Sequence, residues 1–359
     1  MAAEWISTQW YNERRGGTGM LISVVIPARN SAATLGDCLG AIGSSSHSEA
    51  EVIVVDDCSI DNTAAIAEAH GCRVVRSPTI LGAAGARNLG ARLASGPVVL
   101  FTDSDILFRQ DTLQLLAEDL SDPAVAGVVG LLGPRIRHAN FASQFKNLWM
   151  FYTYSRLAET RAAREGVGLF FTSIAAIRKP LFEQMGGFDT NYEGASVTED
   201  IDFGQRLYTA GHKVLLDGRL QVEHLKPYTL SGVLKTDLER SAGLTKTWLR
   251  KRLERKGRRA GDRYYASVPL SFGLSVPAAW LLPAMVGASL LATSKTSIAA
   301  AVLTYASLLL LNAGFLRVLI RERGLAFGIQ SCLFLPPDLW VSGLGAAWGI
   351  VDYLRGNRY

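Results

Sequence analysis

Ile22-Ser23-Val24-Val25-Ile26-Pro27-Ala28-Arg29-Asn30 sets the pattern for the larger part of this 359-residue chain. Its β-branched run predicts a buried strand stopped by Pro27. Working outward, residues 31–43 predict a helix, and Glu51–Val55 a second strand ending at Asp56-Asp57. A helix over 64–70 follows, capped from Asp61-Asn62-Thr63 and closed by Gly71. Arg73–Val75 predicts a third strand, residues 83–94 a helix, and Val98–Phe101 a fourth strand. This alternation implies βαβ units and an α/β fold, a mostly parallel sheet with helices on both faces. Ligands of such sheets bind beyond the carboxyl ends of the strands. Asp56-Asp57 and Thr102-Asp103-Ser104-Asp105 both fall there.

Further along, a helix is expected from Phe141 to Glu165, then an apolar stretch over 168–177 and a helix starting near Ser196. Val214–Leu216 and Leu220–Val222 read as two short strands, and Leu230–Leu253 as an amphipathic helix. The domain therefore spans 21–250, after a polar leader at 1–20 that lacks the pattern of a signal peptide. The net charge of +5 is concentrated between Arg250 and Arg263, where eight basic residues face only Glu254 and Asp262. This basic segment, 251–265, directly precedes an apolar region, 266–353, so lipid headgroups fit it better than nucleic acid. Within that region 267–292 and 297–316 carry no charge and 326–351 carries only Asp338, which predicts two or three membrane helices. Pro336-Pro337 marks the third as a broken or re-entrant candidate. Basic residues flank the region on one side, which places the domain in the cytoplasm at the cell membrane. Four scattered cysteines without metal-ligand spacing agree with a reducing compartment.

The chemistry rests on carboxylates. Asp103 and Asp105, one residue apart at a strand end, repel unless a hard cation neutralises them. Such a cation can bridge a diphosphate and offset charge on a departing nucleotide. Asp57 could accept a hydrogen bond from a base or a ribose. Gly82-Ala83-Ala84-Gly85-Ala86-Arg87-Asn88 offers small residues beside a cation. In Thr198-Glu199-Asp200, the spacing of Ser196 and Glu199 suits a capping box, which leaves Asp200 free to act as a base. The glycine-rich turn of a dinucleotide fold is missing after the first strand.

The ordered set Ser23–Asn30, Val54-Val55-Asp56-Asp57-Cys58-Ser59, Ala86-Arg87-Asn88, Thr102–Asp105, Gly186-Gly187-Phe188-Asp189 and Thr198-Glu199-Asp200 resembles glycosyltransferase family 2. The resemblance implies a GT-A fold, an inverting mechanism, a UDP- or GDP-sugar donor and Mg2+ or Mn2+. By position it implies catalytic roles for Asp200 and Glu199, and donor contacts from Pro27, Arg29, Asn30, Asp57, Arg87, Asp103 and Arg240. It assigns metal contacts to Asp105, Asp103 and His224. The Q-x-x-R-W motif of processive members is missing, its nearest counterpart being Glu239-Arg240-Ser241-Ala242. The expected partners are a nucleotide sugar, a lipid-linked or glycan acceptor and membrane lipids, with no nucleic acid. Two rivals are a sugar-nucleotide nucleotidyltransferase and a non-catalytic nucleotide-binding scaffold.

Overall fold

The computed structural model describes residues 19–192, 198–254, 268–292 and 294–359. The early apolar runs form β1 (Ile22–Ala28), β2 (Ala50–Asp56), β3 (Arg73–Arg76) and β4 (Val98–Phe101), separated by α1 (Leu35–Gly43), α2 (Thr63–Ala69) and α3 (Gly82–Leu93). Next come β5 (Ile106–Leu107), α4 (Thr112–Asp119), β6 (Val125–Leu132), α5 (Phe141–Ala158) and α6 (Arg161–Glu165). The sheet is completed by β7 (Ala175–Arg178) and β8 (Lys213–His224), with α7 (Lys179–Gln184) and α8 (Glu199–Thr209) between them. The remaining elements are helical: α9 (Leu230–Glu254), α10 (Leu270–Ala292), α11 (Lys295–Leu311), α12 (Ala313–Arg323) and α13 (Leu325–Leu354).

The strands lie in the order β3-β2-β1-β4-β7-β6-β8-β5. β1 to β4 are mutually parallel, as expected, whereas β7 runs antiparallel to both β4 and β6. The chain leaves β1 towards β2 on one side and resumes at β4 on the other. This reversal opens a crevice at the carboxyl ends of β1, β2 and β4. Pro27 does not stop β1, which pairs with β2 as far as Ala28. The pairing of β1 with β4 has already ended at Val25, so Pro27 has one strand neighbour and its missing N–H is tolerated. The two strands expected over 214–222 are one strand, β8, whose register against β6 slips between Val129 and Leu131. The helix expected over 141–165 is broken after Ala158.

Beneath the crevice, Phe101 packs against Phe182 and Phe188 at ring distances of 5.0 Å. Phe188 in turn meets Phe203 of α8 at 5.0 Å. The Gly-Gly-Phe-Asp motif therefore supplies a core ring that seats α8 under the acidic rim. Asn88 holds it there, donating to the Phe188 carbonyl at 2.8 Å and accepting from its amide at 2.9 Å.

Among the described residues one helix, α10, is long and apolar enough to cross a membrane. The α11–α12 pair becomes a second only if its 68° bend is counted within one span. The expectation of a multi-pass region is corrected accordingly. The span expected over 297–316 is interrupted at Asn312, a buried side chain that donates back to the Leu308 carbonyl at 2.9 Å and so competes with the helix ladder. The third segment is a continuous helix through Pro336-Pro337 rather than a broken one, and it is not a candidate span. Its inner face buries Gly328, Ser331, Asp338 and Ser342, which lowers its apolar character. The leader up to residue 18, Ser196 of the expected capping box and 255–267 of the basic stretch lie outside the described residues.

The inner face of α13 lies against α9. A Cβ at Gly345 would run into the Leu238 carbonyl, and one at Gly349 would stand 2.5 Å from that of Ala242. Gly345→Ala is expected to lower stability by about 1–3 kcal/mol through overpacking. A thermal melt of the full chain checks this, and an unchanged melting temperature would show that the two helices separate freely.

Candidate active site

The turn after β4 is tethered at both ends. Thr102 donates to the Ser173 carbonyl at 2.8 Å, and β5 pairs Ile106 with His224 of β8. This register carries the His224 ring to Asp105, with Nε2 3.2 Å from Oδ2. Asp103 takes different partners: Oδ1 accepts from Arg87 Nη2 at 2.7 Å and Oδ2 from the Ser173 hydroxyl at 3.0 Å. The two carboxylates of the D-x-D turn are thus not a shared pair. Strand periodicity does not apply to them, because β4 ends at Phe101.

Arg87, on α3, also donates through Nη1 to Glu199 Oε1 at 2.6 Å. Its side chain is 6% exposed and that of Glu199 is 4% exposed, so the pair is almost dry. One guanidinium thereby locks the start of α8 to the turn after β4, and both of its terminal nitrogens are committed to protein carboxylates. Asp57 is similarly occupied. Its carboxylate accepts from the Ser77 hydroxyl at 3.0 Å and from the Leu81 and Gly82 amides at 2.7 and 2.9 Å, which shapes the loop before α3. Asn30 holds the loops after β1 and β2 together, its side-chain oxygen accepting from the Ile60 amide at 2.9 Å and its backbone N–H donating to the Ser59 hydroxyl at 2.9 Å. Its φ of +51° is in the left-handed region, which asparagine tolerates better than most residues.

A single cleft of about 560 Å³ lies over this rim. Pro27, Arg29, Asp57, Arg87, Asp103, Asp105, Glu199, Asp200, His224 and Arg240 all line it, while Asn30 does not. Burial pushes Asp200 up to about 7, the Glu199 charge adding to the effect and Arg87 and Arg240 opposing it. At Asp105 burial acts upward too, but the His224 hydrogen bond and the charges of His224 and Lys226 outweigh it and hold the carboxyl below its usual range.

Residues 23–186 match the sequence profile described as glycosyl transferase family 2. The similarity to glycosyltransferase family 2 extends over that segment, 23–186. Poly-beta-1,6-N-acetyl-D-glucosamine synthase of Staphylococcus epidermidis is 24% identical over 220 residues, 60% of this chain and 52% of that protein. Validoxylamine A glucosyltransferase of Streptomyces hygroscopicus is 30% identical over 224 residues, 53% of this chain and 52% of its own length. The chain thus spans about half the length of these curated relatives. A mannosyltransferase of Pyrobaculum calidifontis, solved in complex with GDP-Man and Mn2+, superposes with a TM-score of 0.63 at 20% identity. The superposition covers 97% of this chain and 96% of that one, which shows a shared GT-A fold.

The family 2 motifs do not account for the whole cleft. Lys226 and Tyr228 also line it, as do Lys146, Asn147 and Met150 of α5. Lys226 lies two residues past the end of β8, so its position was readable once that strand was known to run to His224. The α5 residues had no such signal. Arg240 of α9 reaches the cleft with Nη1 3.4 Å from the Met150 sulfur. No carboxylate forms an ion pair with Arg240 among the described residues, so its charge is available to a ligand.

No group of three or more His, Cys, Asp or Glu side chains is gathered for a metal among the described residues. Asp105 with His224 nevertheless fits a divalent cation, because one hard oxygen and one imidazole nitrogen meet at the cleft wall. Such ions commonly take one or two protein ligands and complete their shell from phosphates and water. Asp103 fits less well, since Arg87 and Ser173 already hold both of its oxygens.

Proposed function

We propose that this chain is an inverting glycosyltransferase that moves a sugar from a UDP- or GDP-sugar onto an acceptor hydroxyl or a lipid phosphate at the cytoplasmic membrane face. The observation that carries the reading is the single cleft in which Asp57, Asp105 and Asp200 meet, with the cations Arg240 and Lys226 facing them. The loop shaped by Asp57 offers the nucleoside a wall, and Arg240 and Lys226 attract the diphosphate. Asp105 and His224 would hold Mg2+ or Mn2+, which when bound supplies positive charge beside the departing diphosphate. The acceptor oxygen attacks the anomeric carbon while the bond from that carbon to the diphosphate oxygen breaks. Asp200 takes the acceptor's proton, and Arg87 keeps Glu199 and Asp103 placed around it.

The membrane reading rests on exposed apolar side chains. Leu270, Leu274, Leu281, Leu290 and Leu291 of α10 face outward, as do Val302, Leu303 and Leu310 of α11. At ~1.5 Å rise per residue, α10 has the length to cross a ~30 Å hydrocarbon core. Leu325, Ile329, Leu333, Trp340 and Trp348 form an outer stripe along α13, which suits a helix lying in the plane of the interface.

The test is release of UDP or GDP from a panel of nucleotide sugars by the full chain in lipid. Release is expected with one donor, falling by about 100-fold or more in EDTA or in Asp105→Asn and returning on Mn2+ addition for the unsubstituted chain. Nucleotide binding without release from any donor would favour the scaffold, and release that ignores EDTA would remove the metal from the scheme.

A further inference from the structure

Tyr228 lies in the segment between β8 and α9 and lines the donor cleft, yet it has no part in the scheme above. Its backbone is tied to α5 through one side chain. The Tyr228 amide donates to Ser143 Oγ at 2.7 Å, and the same hydroxyl lies 3.4 Å from the Tyr228 carbonyl oxygen. Ser143 is itself fixed, because its amide donates to the Asn140 side chain that caps α5, at 2.9 Å. The ring is held too. It meets the His224 imidazole edge-on, with centroids 6.4 Å apart, and Lys226 Nζ stands 5.4 Å from its centre. Only the phenol oxygen is left over: among the described residues, the hydrogen bonds of Tyr228 are those of its backbone. A tyrosine that is half-buried usually finds its hydroxyl a partner, and the space this one borders is the cleft.

Position decides what that partner is. Met150 lies seven residues beyond Ser143, on the same face of α5, and its sulfur is 3.4 Å from Arg240 Nη1. One face of α5 therefore seats both the phenol and the arginine, and the charges of Arg240 and Asp105 reach the phenol. Beside the guanidinium, the Lys226 ammonium and the Asp105–His224 pair, Tyr228 adds a donor without a charge of its own. A phenol keeps its proton at neutral pH, so it can only donate to an oxyanion. A donor fixed in advance where negative charge develops needs no rearrangement during the reaction.

We infer that Tyr228 is a further catalytic residue, whose hydroxyl donates a hydrogen bond to the diphosphate oxygen that leaves the anomeric carbon. The inference rests on the nucleotide-sugar reading above and deepens it. As the bond from the anomeric carbon to that oxygen breaks, its electron pair passes to the oxygen. The phenol shares its hydrogen with the oxygen and keeps its proton, while the acceptor's proton goes to Asp200. The oxygen carries more negative charge in the transition state than in the intact donor, so the contact strengthens during the step.

The experiment compares Tyr228→Phe with the unsubstituted full chain in lipid, measuring nucleotide release from the same panel of nucleotide sugars. Phenylalanine keeps the ring against His224 and Lys226 and removes the hydroxyl alone, so the two chains should melt together. The kcat of the variant should fall by about 100-fold, with the KM for the donor close to unchanged. Incorporating 3-fluorotyrosine at 228, which keeps both ring and hydroxyl, should recover the turnover that phenylalanine loses. Full kcat in Tyr228→Phe would overturn the assignment and leave the nucleotide-sugar reading standing, as would a rise in donor KM alone. So would a lower melting temperature accompanied by full turnover, which would make the hydroxyl structural. Release from no donor by the unsubstituted chain would sink that reading and this assignment with it.

Discussion

Asp200→Asn is expected to lower turnover by about 10²–10⁴-fold, the range a positioned general base contributes. Donor binding should be close to unchanged, because the role proposed for Asp200 is towards the acceptor and Arg240 and Lys226 remain in the cleft. With burial and Glu199 pushing Asp200 up to about 7, kcat/KM should rise with pH through about 7 as the carboxyl loses its proton. The same substitution should stabilise the fold, with a sign that follows from linkage. The folded value lies above the ordinary value of 3.8, so the stability carried by the protonated form is complete below about 4 and lost as pH rises through about 7. Asparagine removes the charge that causes this loss. The variant should therefore melt higher at pH 8, by about 2–4 °C for each kcal/mol recovered, and together with the unsubstituted chain below pH 4. Turnover and melting curves at both pH values check the pair of effects. Full turnover in Asp200→Asn would end its role as a base and would point to an acceptor that is already ionised.

Arg87→Met carries the largest expected cost in stability. Removing one partner of a buried ion pair leaves its mate desolvated and unopposed, which typically costs about 3–5 kcal/mol. Here two carboxylates lose their partner, Glu199 in a nearly dry setting and Asp103 at the cleft edge with 31% of its side chain exposed. A drop in melting temperature of about 10 °C is expected. Arg87→Lys should restore only part of it, since a single ammonium cannot reproduce the fork that spans Glu199 and Asp103. Arg87→Met combined with Glu199→Gln should melt higher than Arg87→Met alone, because the second change removes the stranded charge. If the double variant is no more stable than the single one, the bridge is not what holds α8 in place.

Much of this organisation is legible in the chain because each strand that builds the crevice is a short apolar run, and aspartates stand at the end of β2 and just beyond the end of β4. Ile22–Ile26, Glu51–Val55 and Val98–Phe101 needed little adjustment. The less legible parts depend on distant partners. Arg87 reads as a cation beside a small-residue loop, yet its role is set by Glu199, 112 residues away. The apparent gap in β8 at Asp217-Gly218-Arg219 reads as a turn because Asp217 accepts from the Arg219 amide at 2.8 Å, a local contact made within an unbroken strand. Pro336-Pro337 looked like the break in the C-terminal helices, whereas a buried asparagine at 312 makes it. Proline announces itself by type, but an asparagine breaks a helix only where its surroundings turn its amide back on the backbone.

The helix α9 serves two masters along one rod. Arg240 points from it into the cleft, while the carbonyls of Leu238 and Ala242, on either side of that residue, bear against glycines 345 and 349 of α13. It cannot be rolled about its axis to suit one neighbour without unseating the other. Any sideways push on α13 thus reaches Arg240 in the cleft. If that arginine meets the diphosphate beside a bilayer, as proposed, the grip on the donor would be geared to the state of the surrounding lipid.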